Sequence, residues 1–334
     1  MSETSPLRPA RAPSVADYIQ GVRSGDRSML ARAVTLIESR LPAHQAKARE
    51  VLQALLPYSG QALRVGLTGP PGVGKSTLIE AFGQQLLAAG KRLAVLAVDP
   101  SSSLSRGSIL GDKTRMQALS KHPGCFIRPS PSGGALGGVA RSTRETILLC
   151  EAAGYDLILI ETVGVGQSEI SVREMVDAYV LLLLAGAGDE LQGIKKGVME
   201  MADILAITKA DGQNLIRARQ TQQECRLTLK YLRSFTPDWD VPVLLLSALE
   251  NTGLNDLWQA LIGFEQQARQ RGHFAQRRRQ QQLSWFEDLL REALWHQVLG
   301  RPSLQQQYQA LRRQVASGQC WPLDAVQQLL GALP

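Results

Sequence analysis

The residues whose types and spacing most clearly indicate chemistry form a short glycine-rich segment, Gly69–Ser76, with the sequence GPPGVGKS. It fits the pattern GxxxxGK[ST], in which a glycine-rich turn points successive backbone N–H groups at phosphate oxygens. The lysine of this pattern, here Lys75, reaches the β- and γ-phosphates, and the hydroxyl of Ser76 ligates Mg²⁺. A helix begins at this point, and its N-terminus faces the anion. The segment therefore predicts a nucleotide-phosphate site made of Gly69, Pro70, Pro71, Gly72, Val73, Gly74, Lys75, Ser76 and Thr77.

Two acidic residues stand at the ends of apolar runs that are typical of buried strands. Asp99 ends the run RLAVLAVD, and Glu161 ends the run YDLILIE. Open α/β sheets bind ligands at the carboxyl ends of their strands, so we expect both carboxylates to ligate Mg²⁺, directly or through water. The residues after Glu161, TVGVG, are typical of a switch loop, in which the amide of Gly164 is expected to contact the γ-phosphate.

The segment TKAD, residues 208–211, indicates which base is bound. Asp211 can accept hydrogen bonds from guanine N1–H and from the exocyclic amine, a donor pair that adenine lacks. We expect the aliphatic stem of Lys209 to stack on the base, and a backbone amide for guanine O6 to come from the segment Ser247, Ala248 and Leu249. A wrong base leaves a buried carboxylate unpaired, so the expected ligands are GTP and GDP rather than ATP.

The hydrolytic residues are less complete than the binding residues. Ras-like GTPases position the attacking water with a glutamine directly after the switch glycine, and here that position is Val165, which predicts slow intrinsic hydrolysis. Asp112 is expected to support Mg²⁺ from an outer position or to orient water, with Lys113 and Arg115 compensating phosphate charge. Other groups are expected from the segment 186–197. The predicted catalytic set is Lys75, Asp112, Glu161, Asp189, Gln192 and Lys195.

The elements that position these residues follow from the pattern of apolar residues. Seven short runs rich in Val, Ile and Leu alternate with helical segments from residue 62 onward, which predicts an α/β P-loop fold with a mostly parallel sheet. We expect residues 1–60 to form a helical N-terminal extension and residues 61–265 to form the GTPase domain. We expect residues 266–334 to form a helical C-terminal arm.

The arm is also expected to make a homodimer. After a basic stretch, RGHFAQRRRQQQ at residues 271–282, which we interpret as a linker, helical spacing lines up large apolar side chains: Trp285, Phe286, Leu289, Leu290 and Trp295. A detached helix with this face does not remain exposed to water, so it folds back or packs on a second subunit.

Composition limits the remaining possibilities. The 334 residues carry a net charge of +7, and residues 264–334 hold nine arginines against five acidic residues. This arm has no lysine and no alternation of aromatic and basic residues, so we expect no nucleic-acid partner. Four scattered cysteines and no apolar run long enough to span a bilayer predict a cytoplasmic protein without a membrane partner.

Four segments in this order, GPPGVGKST, VDPSSSLSRGSILGDKTRM, ETVGVGQSE and GAGDELQGIKKG, resemble the nucleotide loop and three switch regions of the MeaB/ArgK family of P-loop GTPases. The resemblance covers nearly the whole chain. It implies a chaperone of adenosylcobalamin-dependent methylmalonyl-CoA mutase, and a homodimer formed through the C-terminal arm. It further places Lys75, Ser76, Asp99, Asp112 and Glu161 at phosphate and magnesium positions, and Asp189, Gln192 and Lys195 on the switch that communicates with the mutase.

One residue departs from the family pattern. The family's base motif begins with asparagine, and here Thr208 takes that place, which predicts a less rigid loop with guanine selectivity retained by Asp211. The alternative function is a kinase or ATPase linked to transport of lysine, arginine or ornithine, because ArgK relatives have been described in that way. A metallochaperone is disfavoured, because the chain has no His/Cys cluster.

Overall fold

A computed structural model describes residues 12–98, 116–129, 136–162, 168–186 and 196–332. Seven strands form one sheet in the order β3-β2-β4-β1-β5-β6-β7, and each neighbouring pair is parallel. The seven apolar runs therefore form the predicted strands. Their bounds are β1 Leu63–Thr68, β2 Leu93–Val98, β3 Cys125–Arg128, β4 Leu157–Thr162, β5 Ala178–Leu184, β6 Ile204–Thr208 and β7 Val243–Leu245.

The described residues also form helices that precede, separate and follow the strands. The N-terminal helices are α1 Val15–Arg23, α2 Arg27–Glu38 and α3 Pro42–Leu55. Among the strands lie α4 Lys75–Ala88, α5 Gln117–Lys121, α6 Leu136–Ala152, α7 Ser168–Arg173, α8 Lys196–Glu200 and α9 Asn214–Leu229. The chain continues with α10 Leu254–Gln270, α11 His273–Leu299, α12 Pro302–Ala316 and α13 Pro322–Gly331.

Both faces of the sheet are covered, which explains why its strands are apolar without interruption. Successive side chains of a strand point to opposite faces. In β4, Leu159 packs in a cluster with residues of α4 and α10, whereas Ile158 and Ile160 pack in a second cluster with α1, α2, α3 and α6. The N-terminal helices therefore complete the core on one side of the sheet.

A buried ionic network lies at the amino ends of the strands. Asp177, just before β5, accepts hydrogen bonds from the Arg64 N–H at 2.9 Å and from Nε and Nη2 of Arg278 at 2.8 and 2.7 Å. Glu151 binds the Arg64 guanidinium through two bonds of 2.9 and 2.8 Å. Both carboxylates are almost completely buried. The network ties the start of α11 to the bottom of the sheet.

The prediction that residues 271–282 form a linker is wrong for most of these residues. Helix α10 ends at Gln270 and α11 begins at His273, so the break consists of Arg271 and Gly272, the latter with φ +76°. The charged run continues as helix because Phe274 is buried and Arg278 is paired with Asp177. Charges that resemble a solvated linker in sequence are neutralised by carboxylates far away along the chain.

The chain divides into two compact units, Met1–Arg278 and Arg279–Pro334. In the second unit, Leu304 and Leu311 of α12 and Ala325 of α13 are buried, and the rings of Trp295 and Tyr308 meet edge to face at 5.2 Å. Large apolar side chains remain exposed in this unit: Leu283, Phe286, Leu290, Leu294, Trp295, Trp321, Leu323, Val326 and Leu330. No helix of the described ranges is both long and apolar enough to cross a membrane.

Candidate functional site

The glycine-rich loop joins the carboxyl end of β1 to the first residue of α4. A side chain at Gly69 would place its Cβ 2.5 Å from the main-chain oxygen of Leu182 in β5, so only glycine fits there. Gly74 is the N-cap of α4, has φ +98° and makes no side-chain capping bond. No described side chain caps this helix N-terminus, and a helix N-terminus that follows a glycine-rich loop is an arrangement that binds an anion.

Lys75 places its positive charge within this loop. Its Nζ donates hydrogen bonds to the main-chain oxygens of Gly69 at 2.8 Å and Pro70 at 3.2 Å. The ammonium group is therefore bound to main-chain oxygens at the start of the loop. A lysine at this position of the pattern is the residue that reaches the β- and γ-phosphates.

Ser76 and Glu161 meet across the sheet from two different elements. Glu161 lies in β4, where its Cα pairs with that of Leu67 in β1, and its side chain is 5% exposed. The Ser76 hydroxyl donates to Glu161 Oε1 at 3.1 Å. A hydroxyl and a carboxylate at this distance are oxygen ligands suited to Mg²⁺, so this donor pair fits the ion. Among the described residues, no group of three or more His, Cys, Asp or Glu side chains offers a separate metal site.

Several predicted site residues lie outside the described residues. They are Asp99, Asp112, Lys113, Arg115, Gly164, Val165, Asp189, Gln192 and Lys195. Two strands that precede such residues, β2 and β4, end beside the carboxyl end of β1. The Cα of Val98, the residue before Asp99, pairs with that of Thr162, and Thr162 donates to the Thr68 hydroxyl at 3.0 Å.

The base-reading residues come together at the ends of β6 and β7. The Ser247 hydroxyl, which is fully buried, donates to Asp211 Oδ2 at 2.5 Å. The Ala210 N–H donates to the oxygen of Leu246 at 3.0 Å, which joins the two segments through the backbone. Lys209 has φ +54° and an exposed side chain. The carboxylate of Asp211 is therefore oriented by a side chain of the neighbouring strand's loop.

Of the three residues expected to offer a backbone amide to guanine O6, two remain as candidates, Ala248 and Leu249. The N–H of Ser247 is occupied, since it donates to the oxygen of Thr252 at 3.1 Å. No described residue accepts a hydrogen bond from the N–H of Ala248 or Leu249. The Ser247 hydroxyl donates instead to Asp211, a contact that the sequence analysis did not identify. The neighbouring, parallel arrangement of β6 and β7, which brings the two residues together, was not specified by the sequence analysis.

Thr208 connects the base segment to the phosphate loop. Its buried hydroxyl lies 2.6 Å from the main-chain oxygen of Val73 and 3.2 Å from that of Leu183. A hydroxyl has one hydrogen to donate, and the shorter distance assigns it to Val73. Threonine therefore ties the base segment to the glycine-rich loop, a connection that the sequence analysis did not predict.

Comparison with known proteins gives a consistent set of relatives. A Mycobacterium tuberculosis protein described as "Probable GTPase" is 52% identical over 309 residues, 92% of each chain. The Mus musculus protein "Methylmalonic aciduria type A homolog, mitochondrial" is 46% identical over 322 residues, 93% of this chain and 78% of the relative. A crystal structure described as "LAO/AO transport system kinase" is 38% identical, covers 97% of this chain and 99% of its own, and superposes with a TM-score of 0.77.

The family assignment rests on most of the chain. Residues 30–303 match the family described as "Methylmalonyl Co-A mutase-associated GTPase MeaB". This match confirms the resemblance predicted from the four motifs, and it confirms that the protein is a GTPase and binds guanine nucleotides. The chain, with its parallel sheet and glycine-rich loop, thus belongs to the MeaB family of GTPases.

Proposed function

We propose that this protein binds GTP with Mg²⁺, hydrolyses it slowly, and uses its nucleotide state to gate its interaction with an adenosylcobalamin-dependent methylmalonyl-CoA mutase. In this role it guards or restores the cofactor loading of the mutase. The observation that best supports the proposal is the hydrogen bond that joins the phosphate loop to the segment predicted to read the base. The phosphate loop and the base-reading segment are connected through Thr208 and Val73, in a chain of the mutase-associated family.

Different residues would bind the phosphates, the base and the Mg²⁺ ion of GTP. The loop amides and Lys75 would hold the phosphates, and Asp211, oriented by Ser247, would select guanine. Ser76 and Glu161 would hold Mg²⁺, directly or through water. The ion, when bound, offsets negative charge on the phosphates.

Slow hydrolysis follows from the residue after the switch glycine. Val165 has no group that can orient water, so the catalytic contribution is proposed to come from Asp112 and from the segment with Asp189, Gln192 and Lys195. If the mutase contacts that segment, its binding will both sense the nucleotide and raise the rate of hydrolysis.

We also propose a homodimer formed by the C-terminal arm, residues 266–334. The exposed apolar side chains of the second compact unit support it, since Phe286, Leu290, Trp295 and Trp321 are each at least 46% exposed. Surfaces of this kind are covered in protein interfaces. Sedimentation equilibrium of the purified chain tests this assignment, and a monomer at micromolar concentration would overturn it.

The main experiment compares GTP with ATP and then adds the mutase. The protein is expected to hydrolyse GTP in strong preference to ATP, and to bind the mutase with different affinities in its GTP and GDP forms. Lys75→Ala should weaken nucleotide binding, whereas Lys195→Ala should spare binding and reduce mutase-stimulated turnover. Equal affinity of the mutase for the GTP and GDP forms would contradict the gating role. Binding of the mutase can depend on the nucleotide only if the mutase binds the two forms with different affinities.

The alternative is a kinase or ATPase linked to transport of basic amino acids. One observation supports it: the solved structure that superposes over nearly the whole chain is described as a LAO/AO transport system kinase. The two functions are separated by supplying GTP or ATP together with lysine, arginine or ornithine. Transfer of phosphate to an amino acid would favour the kinase, and release of inorganic phosphate alone favours the GTPase.

A further inference from the structure

The outward side of α9 and of the turn after it carries positive charge that no described acidic residue pairs with. Residues 214–233 contain five basic residues and a single acidic one, Glu224. All five are exposed, and none forms an ion pair with any residue that the structure describes: Arg217, Arg219, Arg226, Lys230 and Arg233. By contrast, the arginines at the amino ends of the strands are bound to buried carboxylates.

The same side of the helix also exposes apolar side chains. An α-helix advances about 100° per residue, which places Ala218, Thr221 and Cys225 together on the buried side. Opposite them lie Ile216 and Leu227, with exposed fractions of 71% and 57%. Tyr231, in the turn after the helix, is 88% exposed. We call this surface the α9 face and define it by Ile216, Arg219, Arg226, Leu227, Lys230 and Tyr231.

Helix α9 is connected to the base segment and to Gly186. Helix α9 begins three residues after Asp211, the base-reading carboxylate. On its inner side, the Thr221 hydroxyl accepts a hydrogen bond of 3.1 Å from the N–H of Gly186. Gly186 immediately precedes residues 187–195, the segment proposed above to communicate with the mutase. A partner that binds this segment and extends along the protein surface from there would meet α9.

We propose that the α9 face is a docking surface for an acidic region of the mutase, one that surrounds an apolar patch with carboxylates. This inference rests on the proposed function for the identity of the partner. The chemistry of the partner's surface is inferred from the charged and apolar side chains of the α9 face. Protein interfaces combine a central apolar or aromatic contact with arginines at its border. Unpaired cations on this side attract a partner of opposite charge and orient its approach.

Two other anionic partners fit the face less well. A membrane-bound helix needs a continuous apolar side, and here Gln220 and Gln223 lie between Ile216 and Leu227 on the same side of α9. A nucleic acid would use the cations but gains nothing from exposed aliphatic side chains. It is bound through aromatic residues interleaved with basic ones, and the α9 face has one aromatic residue.

The experiment measures the dissociation constant for the mutase by isothermal titration calorimetry with the full-length chain in its GTP form. Arg226→Glu with Lys230→Glu reverses two charges of the face, and Leu227→Ser with Tyr231→Ser removes its apolar centre. Each pair is expected to weaken binding about tenfold or more. The matched control, Arg32→Glu with Arg49→Glu, reverses two exposed charges on α2 and α3 and is expected to leave affinity within about twofold.

Intrinsic GTP hydrolysis and melting temperature of each variant show whether it is folded. If the charge-reversed pair is unstable, Arg226→Gln with Lys230→Gln replaces it, with a smaller loss of affinity expected. Higher salt should weaken wild-type binding more than that of either charge variant.

The outcomes separate the two proposals. If the wild-type chain does not bind the mutase at all, the proposed function fails and this inference fails with it. If the wild type binds and the variants of the α9 face bind equally well, only the docking surface is wrong. Binding of phosphatidylserine vesicles or of DNA that is lost in the charge-reversed pair, with mutase affinity unchanged, would also overturn it.

Discussion

The hydroxyl of Thr208 donates a hydrogen bond to the main-chain oxygen of Val73 across 2.6 Å, although 135 residues separate them in the chain. Val73 lies in the phosphate loop, and Thr208 begins the segment that ends in Asp211. One bond thus links the loop proposed to bind the phosphates to the segment proposed to bind the base. Because Thr208 is buried, no water replaces this bond if it is lost.

Replacing Thr208 with valine is expected to loosen this link. The change keeps the shape but leaves the Val73 oxygen without its donor, which should lower the free energy of unfolding by about 1–3 kcal/mol. Affinity for GDP should fall as well, measured with a fluorescent GDP analogue. Thr208→Ser keeps the hydroxyl and is expected to retain most of the affinity. Equal affinities for the valine and serine variants would show that the hydroxyl has no role.

Asp211→Asn is expected to change which base is preferred. An asparagine amide cannot accept from both guanine donors, but it can accept from N1–H of xanthine and donate to its 2-oxygen. Preference for GTP over XTP should therefore fall by at least about a hundredfold. Competition between the two nucleotides at equilibrium measures the ratio. The control is Asp240→Asn, an exposed residue, which should leave the ratio unchanged.

Ser76→Ala should weaken the response to Mg²⁺ more than the binding of nucleotide. It removes the hydroxyl that lies 3.1 Å from Glu161, so the Mg²⁺ concentration needed for half-maximal hydrolysis should rise about tenfold. Ser76→Thr retains the hydroxyl and serves as the control. A Mg²⁺ dependence identical to that of the wild type would remove Ser76 from the metal site.

The ion pair of Arg278 and Asp177 is expected to matter for folding and not for catalysis. Arg278→Met removes two of the three donors that bind the buried carboxylate, which should destabilise the chain by about 3–5 kcal/mol. Urea denaturation measures the loss. Arg312→Met, at an exposed position, should change stability by less than about 0.5 kcal/mol. A similar effect of both substitutions would contradict the importance of the buried network.

Cysteine labelling should distinguish one thiol from the other three. Burial raises the pKa of Cys125 to about 12 and that of Cys225 to about 11, and it also raises the pKa of Cys150. These thiols stay protonated and inaccessible at pH 8, whereas Cys320 is partly exposed. Iodoacetamide should therefore modify one thiol per native chain and four after unfolding. Labelling of the native Cys320→Ser variant at any other cysteine would contradict the buried positions.

The raised thiol pKa values also have a consequence for stability. Thiols of the unfolded chain ionise near pH 9, while Cys125 and Cys225 of the folded chain do so near 12 and 11. A group whose pKa is raised by folding contributes stability below its unfolded pKa and loses it above. The chain should therefore become less stable as pH rises from about 9 to 11, and this slope should decrease in Cys225→Ala.

Several features of this protein follow from its sequence alone. The seven strands are recognisable because each is a short apolar run buried on both sides. The phosphate loop is recognisable because its function depends on glycines at fixed local spacing. The base-reading role of Asp211 was likewise inferred from its place after an apolar run. These features depend on residues that are close together in the sequence, so they can be predicted from short segments of it.

The tertiary structure decided how distant residues are paired. Ser76 contacts Glu161, although 85 residues separate them in the chain, and Ser247 donates a hydrogen bond to Asp211. Arg278, in a segment predicted to be a linker, lies in a helix and forms an ion pair with Asp177. Such pairs depend on strand order and register, which place the ends of separate segments side by side. A charged or hydroxyl side chain has the same appearance in sequence whether it faces water or a buried partner, and only folding determines which of these it meets.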